Sequence, residues 1–201
     1  DAQPIELAMV AEDEQDLAPT SVAAVYPTSS TWPENTLRFY IEFTAPMSSG
    51  FAYRHVRMLD ETGGIIEGPF VEIEPELWDP GQTRLTILFD PGRVKRGLVD
   101  NEQAGPPLIA GRTFTLEVYG AWPDANGQPL GEGGFRKMIE VGPSIREPVD
   151  VMDWTLSAPV RSSDPLALTF PRPLDWPLAI RMIDVQRGAE PVAGNITLSN
   201  H

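Results

Sequence analysis

Leu37, Phe39, Ile41 and Phe43 alternate with Arg38, Tyr40, Glu42 and Thr44. A chain that reverses its apolar side at every residue suits a strand with one buried face and does not suit a helix. Pro46 closes the run, because it has no N–H to give to a ladder. Further short apolar runs follow the same logic: residues 21–26, 56–59 and 70–73, then Leu85, Ile87 and Phe89, then Phe114, Leu116 and Val118, and last residues 135–141. Polar or Gly/Pro-rich stretches separate them, among them residues 28–35, Ser48-Ser49-Gly50, the turn from Asp60 to Gly63-Gly64, Asp90-Pro91-Gly92 and the long loop 100–111. With 21 prolines and 17 glycines in 201 residues, this punctuation predicts an all-β sandwich over residues 20–142. Little helix is expected, and its place is residues 93–97.

Composition narrows the partners. Hydrophobic residues make up 41% of the chain, too many for a disordered one, and the net charge of −14 repels nucleic acid and anionic membrane surfaces. No cysteine is present, which removes disulfides, thiolate metal ligands and cysteine nucleophiles, and favours a bacterial source over a secreted eukaryotic one. No run reaches the roughly 20 apolar residues of a spanning helix, so no transmembrane segment is expected. A first residue other than methionine fits removal of an export signal. Residues 1–19, rich in Asp and Glu, read as an acidic N-terminal tail.

Past a short linker at residues 143–149, the beginning of the chain recurs. The stretch Pro165-Leu-Ala-Leu-Thr-Phe-Pro-Arg-Pro-Leu174 matches the first strand when Phe170 is set on Phe43, Pro173 on Pro46 and Leu174 on Met47. Arg181-Met182-Ile183-Asp184 then answers Arg57-Met58-Leu59-Asp60. The reading is a second, incomplete sandwich over residues 150–201, with strands at 166–170 and around Ile180, Met182 and Asp184. Two or three strands with one apolar face do not stay folded alone. That face is therefore expected to be covered by the first domain, by a second chain, or by segments continuing past His201, the last being preferred.

Asn35-Thr-Leu-Arg-Phe-Tyr-Ile-Glu-Phe-Thr-Ala-Pro-Met47, Leu85-Thr-Ile-Leu-Phe-Asp90 and Gly111-Arg-Thr-Phe-Thr-Leu-Glu-Val118 together resemble the bacterial Ig-like domains of S-layer and other envelope proteins. In that family a strand ends in a Phe-x-x-Pro-Met corner, as at Phe43 to Met47. A later Gly-x-x-Tyr-x-Leu-x-Val strand precedes an Asp-x-x-Gly turn, for which this chain has Phe114 in place of Tyr and the turn Asp124 to Gly127. Leu77-Trp-Asp-Pro80 and Phe89-Asp-Pro-Gly-Arg-Val-Lys-Arg-Gly-Leu98 are similar to exported bacterial proteins with two such domains and no assigned activity. The resemblance implies tandem Ig-like sandwiches, an exported, periplasmic or cell-surface location (lipid anchoring being one form of it), and a role in spacing, adhesion or assembly.

Motifs for chemistry are missing from the sequence. His55 and His201 are the only histidines, and there is no nucleophile elbow, Walker loop or His-Glu-x-x-His pair. Glu72, Glu74 and Glu76 share a face if the strand at 70–73 continues, but Pro75 interrupts it, and solvated carboxylates are the plainer reading than calcium. Asp124-Ala-Asn126-Gly127 starts like a calcium loop, lacks the later Glu, and reads as a turn. Trp32, Trp122 and Trp176 precede prolines and Trp78 stands two before Pro80; these read as plugs at the ends of a sandwich rather than as sugar platforms. The candidate binding residues are Trp78, Asp79 and Trp122, with the basic cluster Arg93, Lys95 and Arg96 as a dock for an acidic segment. No catalytic residue, metal site or cofactor is expected. A non-catalytic module that binds a protein or another envelope component is the function this reading predicts; a carbohydrate-binding module, or an accessory domain of a larger enzyme, is the alternative.

Overall fold

The computed structural model describes residues 18–197, except 96, 132, 162, 163 and 173. Eight strands fill its first part: β1 (Val22–Tyr26), β2 (Thr31–Pro33), β3 (Arg38–Phe43), β4 (Val56–Leu59), β5 (Leu77–Trp78), β6 (Arg84–Leu88), β7 (Thr113–Val118) and β8 (Phe135–Gly142). They form two four-stranded sheets, ordered β1-β3-β6-β5 and β2-β8-β7-β4. All pairings are antiparallel except β2 with β8, which run parallel. This is the immunoglobulin-type arrangement, an ABED sheet facing a CFG sheet, with β2 as an added edge strand.

The alternation along β3 is realised as read. Phe39, Ile41 and Phe43 are buried against Leu85, Ile87 and Phe89 of their own sheet's side and Leu116, Val118 and Ile139 of the other. Leu37 shares their phase but precedes the strand and is half exposed, whereas Tyr40, on the outer face, is buried. The strand expected at 70–73 is reduced to one bridge between Phe70 and Phe89. β2 replaces part of what reads as a polar loop, because Trp32 turns its whole side chain into the core.

Helices are short: α1 (Ala52–His55), α2 (Pro91–Val94) and α3 (Val99–Ala104) in the first part. Only α2 falls near the place expected, and there Asp90 caps it by accepting from the Gly92 N–H at 2.8 Å. Glycine is required at 134, where φ is 65° and a Cβ would stand 2.2 Å from the Val118 carbonyl oxygen.

Beyond Gly142 come β9 (Thr155–Ser157), β10 (Ala167–Thr169), α4 (Trp176–Met182), β11 (Gln186–Arg187) and β12 (Glu190–Pro191). They make two separate two-stranded sheets, β9 with β10 and β11 with β12. Ile180 and Met182, read above as strand, lie in α4. The cause is local: Asp175 caps the helix by accepting from the Leu178 N–H at 3.1 Å, and Pro177 sits in its first turn. Pro173, the counterpart of Pro46, lies outside the described residues, as do residues 1–17 of the acidic tail.

Replacing Phe39 by Ala is expected to cost about 3–5 kcal/mol, against about 0.5 kcal/mol for Leu37→Ala. Urea unfolding midpoints of the two variants check this; equal losses would mean that the half-exposed position of Leu37 is wrong.

Candidate functional site

At one end of the sandwich an aromatic group closes the core. Trp122 is fully buried, with its ring edge-on to Phe43 at 5.3 Å and to Trp78 at 5.9 Å, and stacked flat on His55 at 5.5 Å and 10°. Its indole N–H donates to the Ser48 carbonyl at 3.4 Å. A buried Trp122 offers no face to a ligand; it is a plug. Burial, and secondly the Arg54 charge, lower the pKa of His55. The stacked, half-buried ring has no carboxylate partner among the described residues that would make it a relay.

Trp78 and Asp79 border a groove of about 650 Å³. Phe51, Tyr53, Arg54, Glu72, Glu74 and Glu76 line it with them. Glu76 is already engaged: it accepts from the Ala52 N–H at 2.7 Å, the Gly50 N–H at 2.9 Å and the Trp78 indole N–H at 2.7 Å, which anchors the entry to α1. Asp79 accepts from the N–H groups of Thr83 and Arg84, each at 2.8 Å, and so folds the turn before β6. Asp124 is a turn residue too, accepting from Asn126 and Gln128 N–H groups and from the Thr20 hydroxyl. Among the described residues no group of three or more His, Asp or Glu is placed to hold a metal ion.

The basic cluster is divided by burial. Arg93 is buried, donating to the carbonyls of Glu67, Gly68, Ala104 and Gly105 at 2.6–3.2 Å, so it ties α2 to two loops and is not available to dock a partner. Lys95 is exposed, and Arg96 lies outside the described residues. The reading of these three as one docking patch is corrected for Arg93: a guanidinium fork suits converging carbonyls better than solvent.

A contact not found from sequence joins the C-terminal part to the sandwich. Asp175, while capping α4, accepts from Arg38 at 2.6–2.7 Å and from the Tyr40 hydroxyl at 2.8–2.9 Å. Burial, then the Asp175 hydrogen bond and charge, push the Tyr40 phenol up to about 12. The Asp-Trp-Pro signal of a helix start at 175–177 was the available clue. The C-terminal part also leaves apolar side chains in solvent. Among the described residues, twelve of twenty large exposed apolar side chains lie beyond Ser144, while the buried apolar core ends at Val141. A cleft of about 160 Å³ lies there between Trp154, Pro171, Arg172 and Leu174.

The fold and its aromatic end define an Ig-like β-sandwich, mostly β with few helices. No protein-family model matches the chain, and no curated protein sequence does. Solved structures similar to it include the S-layer protein rSbsC(31-844), at TM-score 0.40 and 14% identity, over 70% of this chain and 15% of that one. CopC from Methylosinus trichosporium OB3b is similar at TM-score 0.42 and 11% identity, over 64% and 99%. Native alpha-2-macroglobulin from Escherichia coli, spanning domains MG0-NIE-MG1, is similar at TM-score 0.38 and 10% identity, over 62% and 32%. The chain thus spans a small part of the first of these and nearly all of the second.

One carboxylate gives the sandwich a pH dependence. Burial pushes Glu117 up, but hydrogen bonds from Arg57 and Arg136 outweigh it and hold it below its ordinary value of 4.5. A carboxyl lowered on folding stabilises the fold above its unfolded pKa, and that share is lost as pH falls through the folded value. Wild type is therefore expected to exceed Glu117→Gln in stability at neutral pH, with the gap closing below about pH 4.5. Urea midpoints across about pH 7 to 3 check it; a gap that widens on acidification has the wrong sign.

Proposed function

We propose that the chain is a non-catalytic extracellular or envelope module whose sandwich carries an assembly surface at its C-terminal end. The observation behind this reading is the apolar surface beyond Ser144, set beside a sandwich whose own core is closed. Large apolar patches left in water mark interaction sites on stable proteins. The envelope location rests on the likeness of residues 35–47, 85–90 and 111–118 to Ig-like envelope modules. The absence of a catalytic role is supported by how the groups are spent: Glu76, Asp79, Asp124 and Arg93 all hold backbone, and His55 packs on Trp122.

A second reading, carbohydrate binding, has one feature in its favour. The groove beside Trp78 also presents Tyr53 and an exposed Phe51, aromatic faces next to carboxylates that suit a sugar. On that reading, retention on an immobilised polysaccharide falls at least about tenfold with Phe51→Ala, a loss of roughly 1.4 kcal/mol.

Assembly is tested with a photo-crosslinking residue placed at Val160, which is 94% exposed, and for comparison at Gln128 on the sandwich. A discrete protein adduct in the host envelope from Val160 and none from Gln128 is the expected result. Equal adducts from both positions, or none from either, would remove the assembly surface.

A further inference from the structure

We propose that Asn126 is a self-modifying site, whose side chain reacts with the Gly127 nitrogen to give aspartate and isoaspartate at a rate set by opening of the Asp124 turn. The change adds a negative charge and, in the isoaspartate form, one methylene to the main chain. It falls at the end of the sandwich that Trp122 closes, and it does not depend on the assembly reading.

The sequence selects the residue. Of five asparagines, Asn35, Asn101, Asn195 and Asn200 precede Thr, Glu, Ile and His, and only Asn126 precedes a glycine. A side chain on the following residue crowds the main-chain nitrogen that has to attack, and glycine has none and is free to reach the ring-closing geometry. Asn126 and Gly127 are both exposed, at the tip of a loop. The stem of that loop is the bridge between Pro123 and Pro129 and the bond from the Leu130 N–H to the Trp122 carbonyl at 3.0 Å. Asn35, by contrast, has its amide tied to Ile145, accepting from the N–H at 3.0 Å and donating to the carbonyl at 2.7 Å.

The chemistry needs only water. The Gly127 nitrogen gives its proton to hydroxide and attacks Cγ of Asn126, forming a carbon–nitrogen bond. The side-chain nitrogen takes a proton from water and leaves as ammonia, and a five-membered succinimide remains. Water then opens the ring at one of its two carbonyls. Opening at Cγ restores the original main chain with aspartate at 126. Opening at the main-chain carbonyl leaves Gly127 joined through Cβ and Cγ, which is isoaspartate. Nothing is oxidised or reduced.

The fold holds this reaction back. The attacking nitrogen is engaged, since the Gly127 N–H donates to the Asp124 carbonyl at 3.0 Å. Around it the Asp124 carboxylate accepts from the Asn126 and Gln128 N–H groups at 2.8 and 2.9 Å, and the Asp124 N–H donates to the Gln128 carbonyl at 2.7 Å. The anchor itself is buried: Asp124 is 5% exposed and receives the Thr20 hydroxyl at 2.8 Å. Attack therefore waits for the turn to open, a local event that costs less than global unfolding.

Conversion undoes what gated it. One added methylene between residues 126 and 127 moves Gln128 out of step with Asp124. The new carboxylate also stands beside a charged one. Burial pushes Asp124 up, but hydrogen bonds from Thr20 and from the Gln128, Asn126 and Gly127 N–H groups hold it below its ordinary value. Thr20, at the entry to β1, then loses its partner, and the Ala125 N–H loses its hold on the Pro46 carbonyl at 2.8 Å.

The full chain is incubated in mildly alkaline buffer, folded and in urea. The tryptic peptide of residues 113–136 is followed by mass spectrometry, with enzymatic methylation to mark isoaspartate. Conversion at Asn126 and at no other asparagine is expected, slower in the folded chain by about ten- to a hundredfold. Thr20→Val is expected to speed the folded reaction at least about threefold, and Asn126→Gln to stop it. Hydrogen exchange of the Gly127 N–H in the unaltered chain reads the same opening, and its slowing is expected to match that of the conversion within about tenfold. Equal conversion rates with and without urea overturn the proposal, as does a mismatch with exchange larger than that. So does a folded chain still unconverted after about a hundred unfolded half-times, or another asparagine reacting as fast. The isoaspartate form, separated by anion exchange, is expected to exchange faster at residues 124–128 and 20–21; unchanged exchange there overturns the loosening of the turn.

Discussion

The two sheets are held to each other by the aromatic residues at the ends of β3. Phe39 lies 5.5 Å from Trp32, which belongs to the opposite sheet, and from Phe70 and Phe89. Phe43, four residues on, meets Trp122 and Trp78 at 5.3 and 5.9 Å. Such pairs add about 0.5–1.5 kcal/mol each beyond the apolar area they bury. Both buried indoles also need a partner for their N–H, and this shapes the loops around them. The Ser29 carbonyl receives Trp32 at 3.0 Å, and the Ser48 carbonyl receives Trp122.

The C-terminal part is built on different terms. Among its described residues it has one aromatic pair and a polar clasp, and none of their large apolar side chains belongs to the buried core of the sandwich. A two-stranded sheet buries too little surface to offset the entropy of ordering its residues. Asp175 compensates in part by serving two masters, the amide that starts α4 and the Arg38–Tyr40 pair on β3. Because that clasp covers Tyr40, the outer face of β3 becomes a second packing surface, which explains a tyrosine buried on the face where alternation predicts solvent.

Much of the sandwich was legible because burial on one face leaves a period of two. β3, β6 and β7 could be read from that period, and β1, β4 and β8 as short apolar runs between turn residues. β2 could not: its single buried residue, Trp32, sits between polar neighbours and pairs in parallel with a strand more than a hundred positions away. α4 is not legible from Ile180, Met182 and Asp184, which satisfy a two-residue period over too short a span to exclude helix; its start signal lies upstream, in the cap at Asp175. The candidate residues suffered from a similar limit. Arg93 looks like a surface cation in sequence, since the carbonyls that enclose it lie 11 to 26 positions away. Trp122 and Trp78 read as one kind of residue, yet one is sealed and the other borders a groove.

The parallel pairing of β2 with β8 also gives the molecule a mechanical direction. Thr31, Trp32 and Pro33 lie against Glu140, Val141 and Gly142, and the ladder is extended by the Glu140 N–H to the Ser30 carbonyl and the Glu34 N–H to the Gly142 carbonyl. Because the strands run the same way, tension applied through the chain before β2 and after β8 draws them past each other along their length. Every bond in that short ladder then shares the load at once, whereas an antiparallel pair pulled from one end opens bond by bond. Once β1 has been drawn off β3, the ladder between β2 and β8 resists stretching along its axis more than its few edge hydrogen bonds suggest.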